Sequence, residues 1–222
     1  MRLELSERSY VVLDLDDTLY PEADFVRSGI KHIGRLLAPV VGEAATGQML
    51  DRFSQGQEYL KWAEEKFKLP PELGMARLLE EYRTHYPSIT LRPDAREFLA
   101  RLSSLAVSMG LVTDGRTVTQ RNKLKALGIE DCFDHVAISE ELGSEKPDPR
   151  NYRIFETRAP DGDFIFIGDN TTKDFQVPAE LGWQTICIKD AGDNIHGQDF
   201  ACCPRIDHIV SSFAEIELAR VS

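Results

Sequence analysis

The chain carries an apolar segment, residues 10–13, followed at once by three carboxylates within four positions. The apolar run is typical of a buried strand, and the acids are Asp14, Asp16 and Asp17. A strand interior accepts few charges, so we expect the acids at the carboxyl end of the strand, where open α/β sheets bind ligands. Asp14 and Asp16 would share a side if the strand geometry continues, and close carboxylates repel unless a cation or a proton compensates them. This pattern predicts a functional site.

The composition limits the partners of the chain. Its 222 residues carry a formal net charge of −11, and 42% of them are hydrophobic, as is usual for a globular protein. The negative charge argues against nucleic acid or an anionic membrane as a partner, because either needs a basic surface. The first residues lack an apolar core of signal-peptide length, and no run approaches the ~20 apolar residues of a spanning helix. We therefore expect a cytoplasmic protein.

Four cysteines are present, at Cys132, Cys187, Cys202 and Cys203. The adjacent pair offers two thiolates for a metal, but no CxxC or Cys/His spacing accompanies it. We therefore expect reduced thiols in or near the core, as in most cytosolic proteins.

Apolar periodicity divides the chain into two kinds of segment. Between residues 20 and 86, apolar side chains recur at helical spacing without a clear strand, which predicts a small helical bundle. From residue 91 onward, helices and short apolar strands alternate, which indicates a parallel sheet covered on both faces. The predicted helices span 93–104, 117–127, 149–158 and 173–181, and the predicted strands span 106–113, 135–139, 164–167, 185–188 and 208–210.

The expected fold class is α/β with an inserted all-helical domain. We place the parallel-sheet core at residues 1–19 and 88–222, and the helical insertion at residues 20–87. Residues 190–204 are rich in Gly, Asp and Asn and are predicted to form a loop.

Other polar residues follow the later strands. Thr113 and Gly115 end the second strand and suit close approach to an anion. A lysine, Lys146, lies in a proline-rich loop after the third, and Asp169 and Asp174 follow the fourth. Each alone has an ordinary explanation, since an Asp at a strand end is often a helix N-cap and a loop lysine is usually solvated. Their succession at the ends of one parallel sheet favours a single catalytic site.

These segments resemble, in this order, the four motifs of the haloacid dehalogenase (HAD) superfamily of phosphatases. Residues 14–18 match the DxDxT motif, Thr113 the second-motif Ser/Thr, Lys146 the third-motif lysine, and residues 168–174 the GDxxxxD motif. The resemblance implies a Rossmann-like core, with the helical insertion at the place of a C1-type cap. Related proteins often have Asn at position 114; here Asp114 is expected to point away from a phosphate or to meet Arg116.

The resemblance also implies roles for the matching residues. Asp14 would attack phosphorus and form an aspartyl-phosphate, and Mg²⁺ would be held by Asp14, Asp169 and the backbone carbonyl of Asp16. Asp16 would be the general acid and base, with a pKa raised by burial and neighbouring carboxylates. Lys146 would place a positive charge beside phosphorus, and it would bind phosphate together with Thr113 and Gly115. Asp174 would orient bound groups, and Thr18 would brace the turn.

The predicted reaction is Mg²⁺-dependent hydrolysis of a small phosphorylated metabolite, a sugar phosphate or a nucleotide. Literal dehalogenation is disfavoured, because an expelled halide needs no acid and Asp16 is present. A sugar phosphomutase of the same superfamily is the alternative, and a non-enzymatic phospho-aspartate receiver or binding module is a remote one. Tyr20, Glu22 and Phe25 follow the first motif and are expected to touch the leaving group.

Overall fold

The structure is a computed structural model that describes residues 1–201, 203 and 205–221, so Cys202 lies outside the described residues. The described chain forms two compact units, one of residues 1–23 with 90–222 and one of residues 24–89. Among the residues described, no helix has both the length and the apolar character needed to cross a membrane.

Parallel strands form the framework of the first unit. The strands are β1 (Arg2–Leu5), β2 (Ser9–Leu13), β3 (Ser108–Thr113), β4 (His135–Ile138), β5 (Asp163–Gly168), β6 (Gln184–Ile188), β7 (His208–Val210) and β8 (Glu217–Arg220). Six of them form one sheet in the order β4-β3-β2-β5-β6-β7, and every neighbouring pair is parallel. The predicted α/β fold class is confirmed.

Helices occupy both units. They are α1 (Glu22–Val41), α2 (Ala44–Ser54), α3 (Leu60–Phe67), α4 (Met75–Thr84), α5 (Pro93–Ser104), α6 (Thr117–Leu127), α7 (Ser139–Leu142), α8 (Arg150–Arg158) and α9 (Gln176–Glu180). Short 3-10 turns cover Pro71–Leu73, Glu130–Cys132 and Phe213–Glu215.

Two features differ from the predicted elements. The helix predicted over 173–181 is reduced to α9, because the preceding residues form a turn in which the Asn170 amide donates to Asp174 Oδ2 (3.0 Å). A parallel pair of strands, β1 and β8, joins the two ends of the chain and was not foreseen. Only two apolar residues of β1, Leu3 and Leu5, are buried, which is too short a pattern to identify a strand.

Strand β2 is the centre of the large sheet, and all five of its residues are buried. The chain leaves β2 for β3 and β4 on one side and then returns to build β5, β6 and β7 on the other. The connections therefore change direction between β2 and β5, where ligands bind in open α/β sheets. The Asp14 amide donates to the Ile167 carbonyl at 2.9 Å and extends the β2–β5 pairing one residue past the strand.

The core beneath the sheet is rich in aromatic rings. Tyr10, Phe155, Phe166 and Trp183 belong to one buried cluster, with contributions from β2, β5 and α8. The ring of Phe155 lies so close to strand β3 that a Cβ atom at Gly110 would be 2.4 Å from Phe155 Cε1. Glycine is therefore required there because of the close approach of a side chain.

The second unit, residues 24–89, has an apolar core of its own. Helix α1 contributes Ile30, Ile33 and Leu37, which meet Met49 of α2 and Leu78 of α4. All the regular elements that the structure describes in this unit are helical, as the apolar spacing predicts.

Replacing Gly110 with alanine is expected to destabilise the first unit by about 1–3 kcal/mol, because the added methyl group overpacks the core against Phe155. The matched control is Gly197→Ala, at a site where an added Cβ has no heavy atom within 4 Å. The control should change the free energy of unfolding by no more than about 0.5 kcal/mol. Urea unfolding measures both; equal effects would contradict this packing.

Candidate active site

The polar residues that follow β2, β3, β4 and β5 meet in one pocket. Its volume is about 120 Å³, and its lining includes Asp14, Asp16, Thr113, Lys146 and Asp169. They meet because parallel strands end at the same edge of the sheet. A larger and more open cleft of about 980 Å³ lies at the amino ends of β2, β5 and β6, and it contains none of these residues.

A buried lysine neutralises part of the negative charge. Lys146 Nζ lies 2.5 Å from Asp14 Oδ1 and 2.8 Å from Asp174 Oδ1. Burial by itself would lower the pKa of Lys146, but Asp14 and Asp174 outweigh it and hold the pKa well above its usual value. The lysine is therefore a fixed cation between two carboxylates.

Three buried carboxylates remain close together around that lysine. One oxygen from each of Asp14, Asp169 and Asp174 lies within 4.8 Å of the others. Burial first, and then neighbouring carboxylates, raise the pKa of Asp14 to about 7 and that of Asp169 to about 9, while Lys146 opposes both shifts. If all three carboxyl groups were ionised, the cluster would carry more negative charge than Lys146 alone compensates, and the raised pKa values of Asp14 and Asp169 reflect this excess.

Hydrogen bonds hold the cluster in place. Thr18 Oγ1 donates to Asp169 Oδ1 (3.1 Å) and lies 3.4 Å from Asp14 Oδ2. The hydroxyl therefore links the carboxylates that follow β2 and β5. Asn194 Nδ2, from the loop after β6, donates to Asp169 Oδ2 at 2.8 Å. The predicted bracing by Thr18 is thus accompanied by a contact from a loop that the motifs did not include.

Asp17 has a supporting place beside the site. It has φ = 58°, a left-handed conformation that Asp tolerates better than most residues. Its carboxylate accepts hydrogen bonds from the backbone amides of Glu22 (2.7 Å) and Ile195 (2.8 Å). Asp17 therefore ties the turn after β2 to the loop after β6.

Besides Lys146, two residues were predicted to bind phosphate, and only one of them lines the pocket. Thr113 is 1% exposed and lines the pocket. Gly115 does not line it; the Gly115 amide donates to Ser139 Oγ at 2.9 Å. The structure brings Thr113 to the acid cluster and leaves Gly115 outside it.

The expectation for Asp114 is corrected in one respect. Its carboxylate accepts the Lys146 amide at 3.0 Å and pairs with Lys173 Nζ at 3.2 Å. Arg116, the expected partner, pairs instead with Glu140 at 3.3 Å. Asp114 is therefore neutralised by Lys173, from the loop after β5. Its hydrogen bond with the Lys146 amide supports the loop that carries Lys146.

The expected rise in the pKa of Asp16 is wrong. Burial does raise it, but the Lys123 ammonium and the hydrogen bonds from Lys123, Tyr20 and Gln120 outweigh burial and lower the pKa below its usual value. The Asp16 side chain turns towards these donors and is not part of the cluster of three carboxylates. Ligation of a metal by the backbone carbonyl of Asp16 stays a prediction.

Three residues that contact Asp16 were missed or misjudged from the sequence. Tyr20 donates to Asp16, whereas it was expected at the leaving group. Gln120 and Lys123 were not singled out at all, although both are buried on α6. A signal for them exists: they occupy positions of a stripe, 120, 123, 124 and 127, whose other members are leucines.

Glu22 lines the pocket, as its place after the first motif suggested. Burial, followed by the charge of Asp16, raises the pKa of Glu22 to about 8, and Lys123 partly offsets the shift. A neutral Glu22 can donate as well as accept a hydrogen bond, so it suits contact with a hydroxyl group.

The cluster predicts an unusual pH dependence of stability in EDTA. The pKa values of Asp14 and Asp169 are raised in the folded chain to about 7 and about 9. Below about pH 4, where the unfolded chain also holds these protons, their contribution to stability is fully present. It is lost as pH rises through the folded pKa values, so the free energy of unfolding should fall towards pH 9.

Asp169→Asn removes one of the raised carboxyls and should flatten this fall by about 1 kcal/mol or more between about pH 5 and pH 9. Urea unfolding in EDTA measures the slope. Asp161→Asn, at an exposed position, is the control and should keep the wild-type slope. The same slope in Asp169→Asn would show that Asp169 binds no extra proton.

A model of the haloacid dehalogenase-like hydrolase family matches residues 9–182. This range contains all four predicted motifs. The chain is 28% identical over 193 residues to the glyceraldehyde 3-phosphate phosphatase of Pyrococcus abyssi, covering 81% of this chain and 80% of that protein. It is 30% identical over 221 residues to the phosphoserine phosphatase of Thermus thermophilus, covering 80% and 87% of the two chains.

Solved structures agree on the fold. A HAD-family hydrolase of Bacillus subtilis bound to magnesium superimposes with a TM-score of 0.62 at 17% identity, over 93% of this chain and 96% of that one. At this identity the likeness concerns the fold alone. The family match confirms the resemblance seen in the motifs, and it favours a hydrolase over a non-enzymatic receiver. The chain belongs to the haloacid dehalogenase-like hydrolase family.

Proposed function

We propose that the chain is a Mg²⁺-dependent phosphatase that transfers the phosphoryl group of a small phosphorylated metabolite first to Asp14 and then to water. The observation that carries this proposal is the buried contact of Asp14 with Lys146 inside the acid cluster. This contact lies in a pocket that also holds Thr113. The family match and the two phosphatases described above support it.

The proposed reaction has two displacements at phosphorus. In the first, an Asp14 oxygen bonds to phosphorus while the ester bond to the leaving oxygen breaks. In the second, a water oxygen attacks the aspartyl-phosphate, the bond from Asp14 to phosphorus breaks, and inorganic phosphate leaves. Lys146, 2.5 Å from Asp14, offsets the charge of the nucleophile, and Thr113 binds a phosphate oxygen.

The residues of the cluster fit a magnesium ion. Their donors are all carboxylate oxygens, which Mg²⁺ prefers, and in the ionised form their negative charge would exceed the compensation by Lys146. Asp14, Asp169 and the backbone carbonyl of Asp16 would hold the ion. Asp174 is already engaged by Lys146 and the Asn170 amide, and we assign it the orientation of bound groups. When bound, the ion neutralises charge on the phosphoryl oxygens and the nucleophile.

Asp16 is the proposed acid and base. It lines the pocket two residues after the nucleophile. The carboxylate form, which its surroundings favour, is the form that takes a proton from water in the second displacement. For the first displacement, we propose that Asp16 gives the leaving oxygen the proton that it took from water in the second displacement of the preceding turnover, so that the protons balance over one cycle.

We further propose that the helical unit, residues 24–89, serves as a cap domain. Its all-helical architecture and its insertion between the first and second motifs support this assignment.

A three-carbon or similarly short phosphate monoester is the proposed substrate class. The two named relatives act, by their names, on glyceraldehyde 3-phosphate and phosphoserine, which are both three-carbon monoesters. A small pocket of about 120 Å³ at the acid cluster suits the phosphoryl end of such a molecule.

The first test of the proposed function uses p-nitrophenyl phosphate, which reports directly on attack at phosphorus. We expect Mg²⁺-dependent release of nitrophenol that EDTA abolishes and that Asp14→Asn reduces by at least about 10³-fold. Asp161→Asn is the control and should leave the rate unchanged. Full activity in Asp14→Asn would refute the assignment of the nucleophile.

The second test compares phosphate release from short sugar phosphates, phosphoserine and nucleoside monophosphates. We expect kcat/KM for the three-carbon esters to exceed that for the nucleotides by about tenfold or more, a difference of about 1.4 kcal/mol in transition-state binding. Conversion of a sugar phosphate into its isomer with little phosphate release would instead favour the phosphomutase alternative.

A further inference from the structure

Helix α6 buries a long amide and an ammonium side chain, together with Thr119, on the face that also carries its buried leucines. Gln120 is 1% exposed and Lys123 is 3% exposed, and they share a helical stripe with Leu124 and Leu127. Burying an amide or an ammonium group costs free energy unless partners compensate it. Their presence in this stripe calls for a purpose other than packing.

Both side chains reach residues of the pocket. Lys123 Nζ lies 2.7 Å from Asp16 Oδ1 and 2.9 Å from Asp16 Oδ2. Gln120 Nε2 donates to Asp16 Oδ2 at 3.0 Å and to Thr113 Oγ1 at 2.5 Å. Asp16 and Thr113 line the pocket, whereas its lining includes neither Gln120 nor Lys123. The two α6 residues therefore contact Asp16 and Thr113 of the pocket wall without lining the pocket themselves.

The contacts determine how Asp16 and Thr113 face the pocket. With both oxygens engaged by Lys123, and Tyr20 donating to Oδ1, the Asp16 carboxylate has little freedom to rotate. The Thr113 oxygen accepts from Gln120, so its own hydrogen is left for another acceptor. In the pocket that acceptor would be a phosphate oxygen.

We propose that Gln120 and Lys123, here called the α6 pair, are positioning residues of the reaction. Lys123 holds the Asp16 carboxylate in line with the leaving oxygen, and Gln120 couples Asp16 to Thr113 and turns the Thr113 hydroxyl towards phosphate. This inference rests on the proposed function, in which Asp16 serves the leaving group and Thr113 the phosphoryl group.

The test compares p-nitrophenyl phosphate with phenyl phosphate, which differ chiefly in how much the leaving oxygen needs a proton. In Lys123→Met, kcat for phenyl phosphate should fall at least about fivefold more than kcat for p-nitrophenyl phosphate, because the misplaced acid matters most for the poorer leaving group. Lys123→Arg keeps the charge and should recover most of the loss. Lys125→Met, on the exposed face of α6, is the matched control and should behave as wild type.

A double variant isolates the route through Asp16. In the Asp16→Asn background, Lys123→Met should no longer change the ratio of the two rates, because the group that Lys123 positions is already disabled. An unchanged ratio in folded Lys123→Met, with both rates lowered by one factor, would overturn the proposal. Failure of the wild type to release phosphate from either ester with Mg²⁺ would refute the proposed function instead.

Gln120→Met provides the second variant, and it tests the proposal even where Lys123→Met does not fold. Loss of the contact to Thr113 should raise KM for p-nitrophenyl phosphate, and the inhibition constant for inorganic phosphate, by about threefold or more, because phosphate loses an oriented donor. Unchanged values of both constants in the folded variant would overturn the role of Gln120.

Discussion

The interaction on which the first unit depends is the buried ion pairing of Lys146 with Asp14 and Asp174. Strands β2 and β5 end side by side, so their acids are forced into one buried space. Without a cation among them, ionised carboxylates in that space would repel each other and lose hydration without compensation. Lys146 supplies that cation, and Thr18 and Asn194 add donors.

Two lysines give Asp14 and Asp16 of the first motif different electrostatic surroundings. Asp14 and Asp16 are two residues apart, yet the pKa of Asp14 is raised to about 7 and that of Asp16 is lowered. Asp14 shares Lys146 with other carboxylates, whereas Asp16 has Lys123, Gln120 and Tyr20 as donors. Neighbouring carboxyl groups in different surroundings acquire different chemistry, and here the difference comes from the loop after β4 and from helix α6.

Much of the fold could be predicted because its signals are local. The apolar runs of β2 and β5 and the stop of α6 at Gly128, where φ is 70°, are written in consecutive residues. The pair formed by β1 and β8 could not be predicted, since its partners are separated by most of the chain and each strand has few apolar residues. The late start of α9 was also missed, because the turn before it depends on a hydrogen bond from Asn170 to Asp174.

The amino-acid sequence by itself determined the α/β class, the family motifs and the identity of Asp14, Thr113, Lys146 and Asp169 as neighbours, because residues at the ends of parallel strands must converge. Only the tertiary structure decided which group neutralises which. It assigned Lys123 to Asp16, Lys173 to Asp114 and Ser139 to the Gly115 amide. Those pairings join segments far apart in the chain, and they depend on distances of a few ångströms between side chains, which no spacing along a sequence records.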